Sequence, residues 1–354
     1  MFSKKDLQRL IVPLIIEQFL AITIGMADTV MVASCGEAAV SGVSLVDSIN
    51  ILLINIFSAL ATGGAIIASQ YIGREQMNKA RESAKQLVLS VFVLSAVIGG
   101  ICIFGGPQIL GFLYHDIDHS VMGNAEIYFF LTALSYPFIA LYNAGAALFR
   151  AMGNSKISMI ISIVMNFINI GGNALFIFGF QMGAAGAALA TLISRVIGAV
   201  FILVLLRRPS NSIYIESYLH LEFHPKMIRS ILEIGIPNGL ENGMFQLGKI
   251  IIQGMIASYG TAAIAANAVS TSIAGFPIIP GTAIGLAMIT VVGQCVGAGH
   301  YEEAKRYTLK LTGLSYLFML VLNLIIALWC APIVGLFNLS AEASSTAEQM
   351  LLWH

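Results

Sequence analysis

Charge is what this sequence has least of. Asp, Glu, Lys and Arg make up 10% of its 354 residues, while 58% are apolar, where an ordinary soluble domain carries roughly 25% charged residues. A soluble globular domain is therefore excluded. An excess of basic residues is also missing: 18 Lys+Arg stand against 18 Asp+Glu, so nothing is left over to neutralise a phosphate backbone, which excludes a nucleic-acid partner. The cysteines Cys35, Cys102, Cys295 and Cys330 form no CxxC pair and no metal-ligand spacing, and they read as small apolar residues. A cleavable leader is not expected either. Val32-Ala33-Ser34-Cys35 loosely matches a lipoprotein cleavage site, but Glu17 and Asp28 interrupt the segment before it. Gly63-Gly64 and Gly183-Ala184-Ala185-Gly186 lack the strand and Lys-Ser/Thr context of a phosphate loop, and read as close helix packing. Neither paired membrane aspartates in a protease motif nor a His/Glu metal set is found, so no enzyme is expected.

What is present is a series of long hydrophobic runs, each long enough for the ~20 residues that cross a bilayer as a helix. Helices are predicted at about 9–34, 44–69, 87–113, 125–149, 157–180, 183–206, 228–258, 263–293 and 309–337, with a tenth starting near Ala343. Basic residues sort to alternate loops, with 16 of the 18 on one side, beginning with Lys4, Lys5 and Arg9. The positive-inside rule places that side, and the N-terminus, in the cytoplasm of a cell-membrane protein. His115, Asp116, Asp118 and His119 share a loop on the other side, read as a solvated turn in preference to a metal site.

The longest polar stretch, 207–226, separates a six-helix lobe at 1–206 from a partial second lobe at 227–354. An internal repeat supports that division, because sliding the chain by 224 residues aligns polar and small residues. Pro13 and Glu17 fall on Pro237 and Glu241, and Gln70, Gly73 and Ala80 fall on Gln294, Gly297 and Ala304. Six spans separate equivalent points, so the halves run in parallel, an arrangement that transporters use. The fold class is thus an all-α polytopic membrane protein of two six-helix bundles, the second incomplete, with about nine and a half spans. A doubled repeat implies about 448 residues, whereas this chain ends opposite Phe130, inside the fourth helix of the first half. The expectation is a severed tenth helix and a chain unable to sustain alternating access.

A charge at a span centre costs roughly 2.5–3.5 kcal/mol, so each one needs a partner, a proton or a task. Glu17 and Asp28 are 11 residues apart on the first helix, about 20° apart in direction, and look into one cavity; a structural ion pair is the competing reading for either. Asn166, Asn169 and Asn173 form a stripe on the fifth span, open to ion coordination or to interhelical hydrogen bonding. Thr191 and, one turn on, Arg195 come from the sixth, where Arg195 is too deep to reach the surface and is expected to meet a carboxylate. Asp47, Ser58 and Thr62 can share a face of the second span, though Asp47 also suits a helix start; Lys249 is as well placed to snorkel as to act inside.

Taken together these residues resemble the multidrug and toxic compound extrusion (MATE) family of cation-coupled antiporters. The resemblance rests on Met26-Ala27-Asp28-Thr29-Val30-Met31-Val32 with Pro13 upstream, on the paired Gln-x-x-Gly segments, and on Gly183-Ala184-Ala185-Gly186-Ala187-Ala188. It implies two bundles in a V around a central cleft. It also implies that Asp28, with Asn169, Asn173 and Thr191, holds Na⁺ or a proton. Asn173 stands where many members have aspartate, and Phe245 where a glutamate is common, which leaves Glu241 as the available acid of the second half.

The function this implies is a secondary active antiporter that works as a monomer and exports cationic amphipathic compounds against Na⁺ or H⁺. Asp28 would hold the ion, Glu17, Glu241, Asp47 and Arg195 would line the substrate cleft, and Pro13 and Pro237 would let their helices bend. No cofactor is expected. The alternatives are a flippase for lipid-linked saccharides, which needs a basic cleft, and a transport-incompetent fragment.

Overall fold

The computed structural model describes residues 2–114, 118–218, 223–257, 259, 261–335, 337 and 341–353. His115 and Asp116 of the loop noted above lie outside them. Among the described residues the regular structure is entirely helical: α1 (Lys4–Ala33), α2 (Glu37–Gly73), α3 (Met77–Leu113), α4 (His119–Leu134), α5 (Tyr136–Ala151), α6 (Ser155–Asn173), a π-helical segment (Ala174–Gly179), α7 (Gly183–Leu206), α8 (Pro225–Ala257), α9 (Thr261–Gly297), α10 (Tyr301–Leu328), α11 (Cys330–Gly335) and α12 (Ala341–Trp353).

The helices outrun the hydrophobic runs, and at α1 and α4 a side-chain cap fixes the start. α1 starts at Lys4, where the Ser3 hydroxyl accepts from the Asp6 amide at 3.1 Å and the Ser3 amide donates to the Asp6 carboxylate at 2.9 Å, a reciprocal capping box. Asp118 caps α4 in the same spirit by accepting from the Ser120 amide and hydroxyl, bonds that hold its carboxyl below the usual range.

Among the described residues seven helices are long and apolar enough to cross a membrane, or eight if α4 and α5 make one span bent by 45°. The helix predicted at 125–149 is bent at Ser135, two residues before Pro137. Pro137 has no amide hydrogen for the Ala133 carbonyl four residues back, and its ring crowds that carbonyl, which interrupts the helix there. The sequence implies about nine and a half spans. α8 is 33 residues long, but it carries Glu233, Asn238, Glu241, Asn242, Lys249 and Gln253 and is not among the seven or eight.

The repeat is visible in the helix boundaries. α2 and α9 are both 37 residues long, and their ends at Glu37 and Gly73 recur at Thr261 and Gly297. The packing repeats as well: α1 lies on α9 while α8 lies on α2, and α2 meets α9. Leu7, Leu10, Ile11 and Leu14 of α1 form one buried cluster with Ala283, Ile284, Ala287 and Val291 of α9 and with Leu311 of α10. α2 and α8 approach so closely that a Cβ on Gly63 would lie 2.6 Å from the Ile231 carbonyl oxygen. These contacts come from the halves of the helices nearest the N-terminus and the 207–226 segment, here called the basic end. Towards the opposite end of α1, Val30 is 71% exposed.

The polar 207–226 stretch is not a loose tether over its described part. Ile213 and Ile215 are fully buried, the Ile213 amide donates to the Met152 sulfur at 3.2 Å, and the Arg81 guanidinium stacks 4.1 Å from the Tyr214 ring centroid. The segment is strapped across α3 and the end of α5.

Candidate functional site

The deepest polar groups fall into three connected clusters, each made by helices far apart in the chain. In the first, α6 presents Asn169 and Asn173 one turn apart to α1 and α7. Asn173 Nδ2 donates to Asp28 Oδ1 at 2.5 Å, and Asn169 Nδ2 donates to Thr191 Oγ1 at 3.1 Å. Asn173 Nδ2 also reaches Asn169 Oδ1 at 3.5 Å, which ties the pairs together. Asn173 is fully buried, and among the described residues its side-chain carbonyl oxygen has no hydrogen-bond partner. Turning the amide over would set that oxygen against the Asp28 carboxylate, so an ionised Asp28 fixes the orientation. The helix changes to π geometry directly after Asn173, at Ala174, a distortion that recurs at functional sites.

The second cluster surrounds Asp47. α2 starts at Glu37, ten residues earlier, so Asp47 is inside the helix and not at its start. Its Oδ1 accepts from Asn50 Nδ2 and from the Tyr128 hydroxyl, each at 3.2 Å, and the Tyr136 hydroxyl donates to Asn50 Oδ1 at 2.7 Å. Arg195, one turn beyond Thr191 on α7, donates to Ser135 Oγ at 2.7 Å. The expectation of a directly paired carboxylate is corrected here: among the described residues the direct partner of Arg195 is a hydroxyl. The α4–α5 bend makes this arrangement, since it delivers Tyr128, Ser135 and Tyr136 to one layer.

The third cluster holds Glu17. Ser158 Oγ on α6 donates to Glu17 Oε2 at 2.9 Å, and Arg150 Nη1 at the end of α5 stands 3.7 Å from Glu17 Oε1. Glu17 is 8% exposed. The shared direction of Glu17 and Asp28 therefore holds, but the face they share packs on α6: Glu17 meets Ser158 and Asp28 meets Asn173. The ion-pair reading describes Glu17 in this state better than a place on the cleft wall.

The remaining candidates are dispersed. Asn166 meets Ser162 at 3.5 Å, Ser58 accepts from Asn143 at 3.2 Å, and Thr62 lines a void of about 10 Å³ beside Arg150 and Thr290. Glu241 is exposed on α8. Pro13 and Pro237 both lie inside helices, α1 and α8. Lys249 sits 4.8 Å from the Phe245 ring centroid and borders a cavity of about 790 Å³ with Gln253, Asn267, Thr271 and Gln349. Sequence reasoning missed Asn50, Tyr128, Tyr136, Ser135, Arg150 and Ser158. Arg150 had been counted as a loop charge, and the others carry no periodic signal that separates them from ordinary packing.

Comparison with known proteins identifies the family of the chain. The MatE family model matches residues 13–175 and 237–354. The uncharacterized transporter YisQ of Bacillus subtilis is 27% identical over 344 residues, covering 96% of this chain and 75% of that protein. The probable multidrug resistance protein NorM of Thermotoga maritima is 25% identical, covering 95% and 72% respectively. A solved outward-facing multidrug resistance MATE family transporter of the MOP superfamily superposes with a TM-score of 0.90 at 20% identity, covering 98% of this chain and 77% of that one. With its helical bundles, its internal repeat and a family match that spans most of its length, the chain belongs to the MatE family of multidrug efflux transporters.

Proposed function

We propose that the chain is a secondary antiporter that exports cationic amphipathic compounds in exchange for Na⁺ or H⁺, with Asp28 as the ion-holding group. The observation that carries this reading is the unpartnered, fully buried carbonyl oxygen of Asn173 next to the Asp28 carboxylate. A buried acceptor without a donor costs stability, and a cation seated between it, Asp28 and the Asn169 and Thr191 oxygens would remove that cost. All of these are oxygen ligands, the donor type that a hard monovalent cation takes. A proton on Asp28 is the other way to neutralise the site, and then the Asn173 amide is free to turn its oxygen toward the new hydroxyl.

Residues 1–206 and 227–354 act in this reading as two lobes that rock about the 207–226 strap, with the basic end in the cytoplasm and the cleft open on the other side. Substrate cations are drawn by Glu241 and by the Asp28 and Asp47 carboxylates, whose pull is stronger inside a low-dielectric cleft. Loading Asp28 changes the contact between α1 and α6, and Pro13, which cannot complete the helix hydrogen-bond ladder, gives α1 a place to bend in response.

The test is uptake and release of an ethidium-like cation in proteoliposomes, with Na⁺ and pH gradients imposed separately. Asp28→Asn is expected to lower gradient-driven transport by about 100-fold, the scale of losing a dedicated charge site. Transport at the parent rate in that variant would refute the assignment of Asp28.

A further inference from the structure

The two Gln-x-x-Gly segments are not used by the ion site, yet the fold brings them together. α2 and α9 cross at their last turns, and the crossing is reciprocal. A Cβ placed on Gly73 would overlap the Gln294 carbonyl oxygen, and one placed on Gly297 would overlap the Gln70 carbonyl oxygen. Each glycine of one repeat thus seats the glutamine backbone of the other. One turn inward, a Cβ on Gly293 would lie 2.8 Å from Ser69 Cβ.

Two side chains fasten the crossing to the first bundle. Gln294 Nε2 donates to the Ala151 carbonyl and Thr290 Oγ1 to the Arg150 carbonyl, both at 2.8 Å. Arg150 is the residue that pairs with Glu17, so the seam and the deep carboxylate share one helix end. Ser69 Oγ, fully buried in the seam, has no hydrogen-bond partner among the described residues. A closed contact that leaves a hydroxyl unsatisfied is penalised, which favours a seam able to part.

We infer that the Gln70-x-x-Gly73 and Gln294-x-x-Gly297 segments form a two-fold gate at the basic end, closed by glycine-to-carbonyl contact and latched by Gln294 and Thr290. What the gate serves rests on the antiporter reading; its closure does not. Adding a methyl group at either glycine forces the helices apart, because the obstacle is backbone and cannot rotate away. Removing the Ser69 hydroxyl acts in the opposite sense.

The experiment is labelling of Thr62→Cys, which lines the small void just inside the seam, with a membrane-impermeant maleimide applied from the face that carries the 207–226 strap. The full chain is used in membranes, without substrate or ion gradient, against the background of its four native cysteines. Gly73→Ala and Gly297→Ala are each expected to raise the labelling rate about tenfold. Gly100→Ala, where a Cβ meets nothing within 4 Å, should leave it unchanged, and Ser69→Ala should lower it. Rates within about twofold of the parent in the glycine variants would overturn the gate. Should those variants not reach the membrane, Gln294→Ala, which leaves the backbone crossing intact, is expected to raise labelling about threefold, and an unchanged rate there overturns the gate equally. Either outcome is independent of the Asp28 transport result, so failure of the gate and failure of the antiporter reading are told apart.

Discussion

Asn173 decides most about the proposed ion site with one atom pair. Its Nδ2 satisfies Asp28 and its Oδ1 satisfies nothing. An aspartate there would add a charge to an already acidic site. Asn173→Asp is therefore expected to tighten Na⁺ binding by about tenfold, a coupling of about 1.4 kcal/mol, measured by radiolabelled Na⁺ binding to detergent-solubilised protein. Unchanged or weaker binding would mean that Asn173 Oδ1 does not face the ion. Arg150 behaves differently, because it compensates a buried carboxylate. Arg150→Ala leaves Glu17 with only the Ser158 hydroxyl and is expected to cost about 3 kcal/mol in stability, whereas the charge-removing Glu17→Gln should cost clearly less. Thermal melts of the two variants would separate a structural pair from a substrate-facing carboxylate, which would show the larger effect in transport.

At the scale of elements, the break between α4 and α5 does what a straight helix cannot. It turns Tyr128, Ser135 and Tyr136 toward Asp47, Asn50 and Arg195. Ser135 is both the hinge and the hydroxyl that receives the Arg195 guanidinium. Ser135→Ala removes that acceptor from a buried charged donor and is expected to destabilise by roughly 1–3 kcal/mol, read as a lowered melting temperature. Ser135→Thr, which keeps the hydroxyl, should recover most of the loss. A melting temperature unchanged in Ser135→Ala would show that the Ser135 hydroxyl does not hold Arg195. None of this was legible in the sequence. A hydrophobic run at 125–149 is compatible with one straight span, and the proline signal marks a boundary without giving the direction in which the second half turns.

For the whole molecule, the 224-residue repeat is the organising fact. It reads out as matched helix ends, as the exchange of α1 onto α9 and α8 onto α2, and as the reciprocal crossing at Gly73 and Gly297. The glycine and apolar contacts between the two halves described above lie at the basic end. The proposed gate needs a seam that is tight and reversible, and backbone-to-glycine contact suits both: close approach with little interdigitated side chain to pull apart.

The sequence by itself determined the solvent, the helical class, the parallel repeat and the short list of intramembrane polar residues. Those follow from quantities local to the chain: the length of apolar runs, the sorting of basic residues, and the angular period of a helix, which correctly placed Glu17 and Asp28 on one side of α1. Tertiary structure decided what each polar residue faces. Asp28 and Asn173 are separated by 145 positions, and Gly73 and Gln294 by more, so their meeting depends on the rotation and depth at which whole helices pack. Periodicity fixes the direction of a side chain relative to its own helix axis and carries no information on which neighbour lies in that direction. For that reason Glu17 was legible as a buried acid but not as the partner of Arg150, and the Gln-x-x-Gly pair was legible as a repeat but not as a seam.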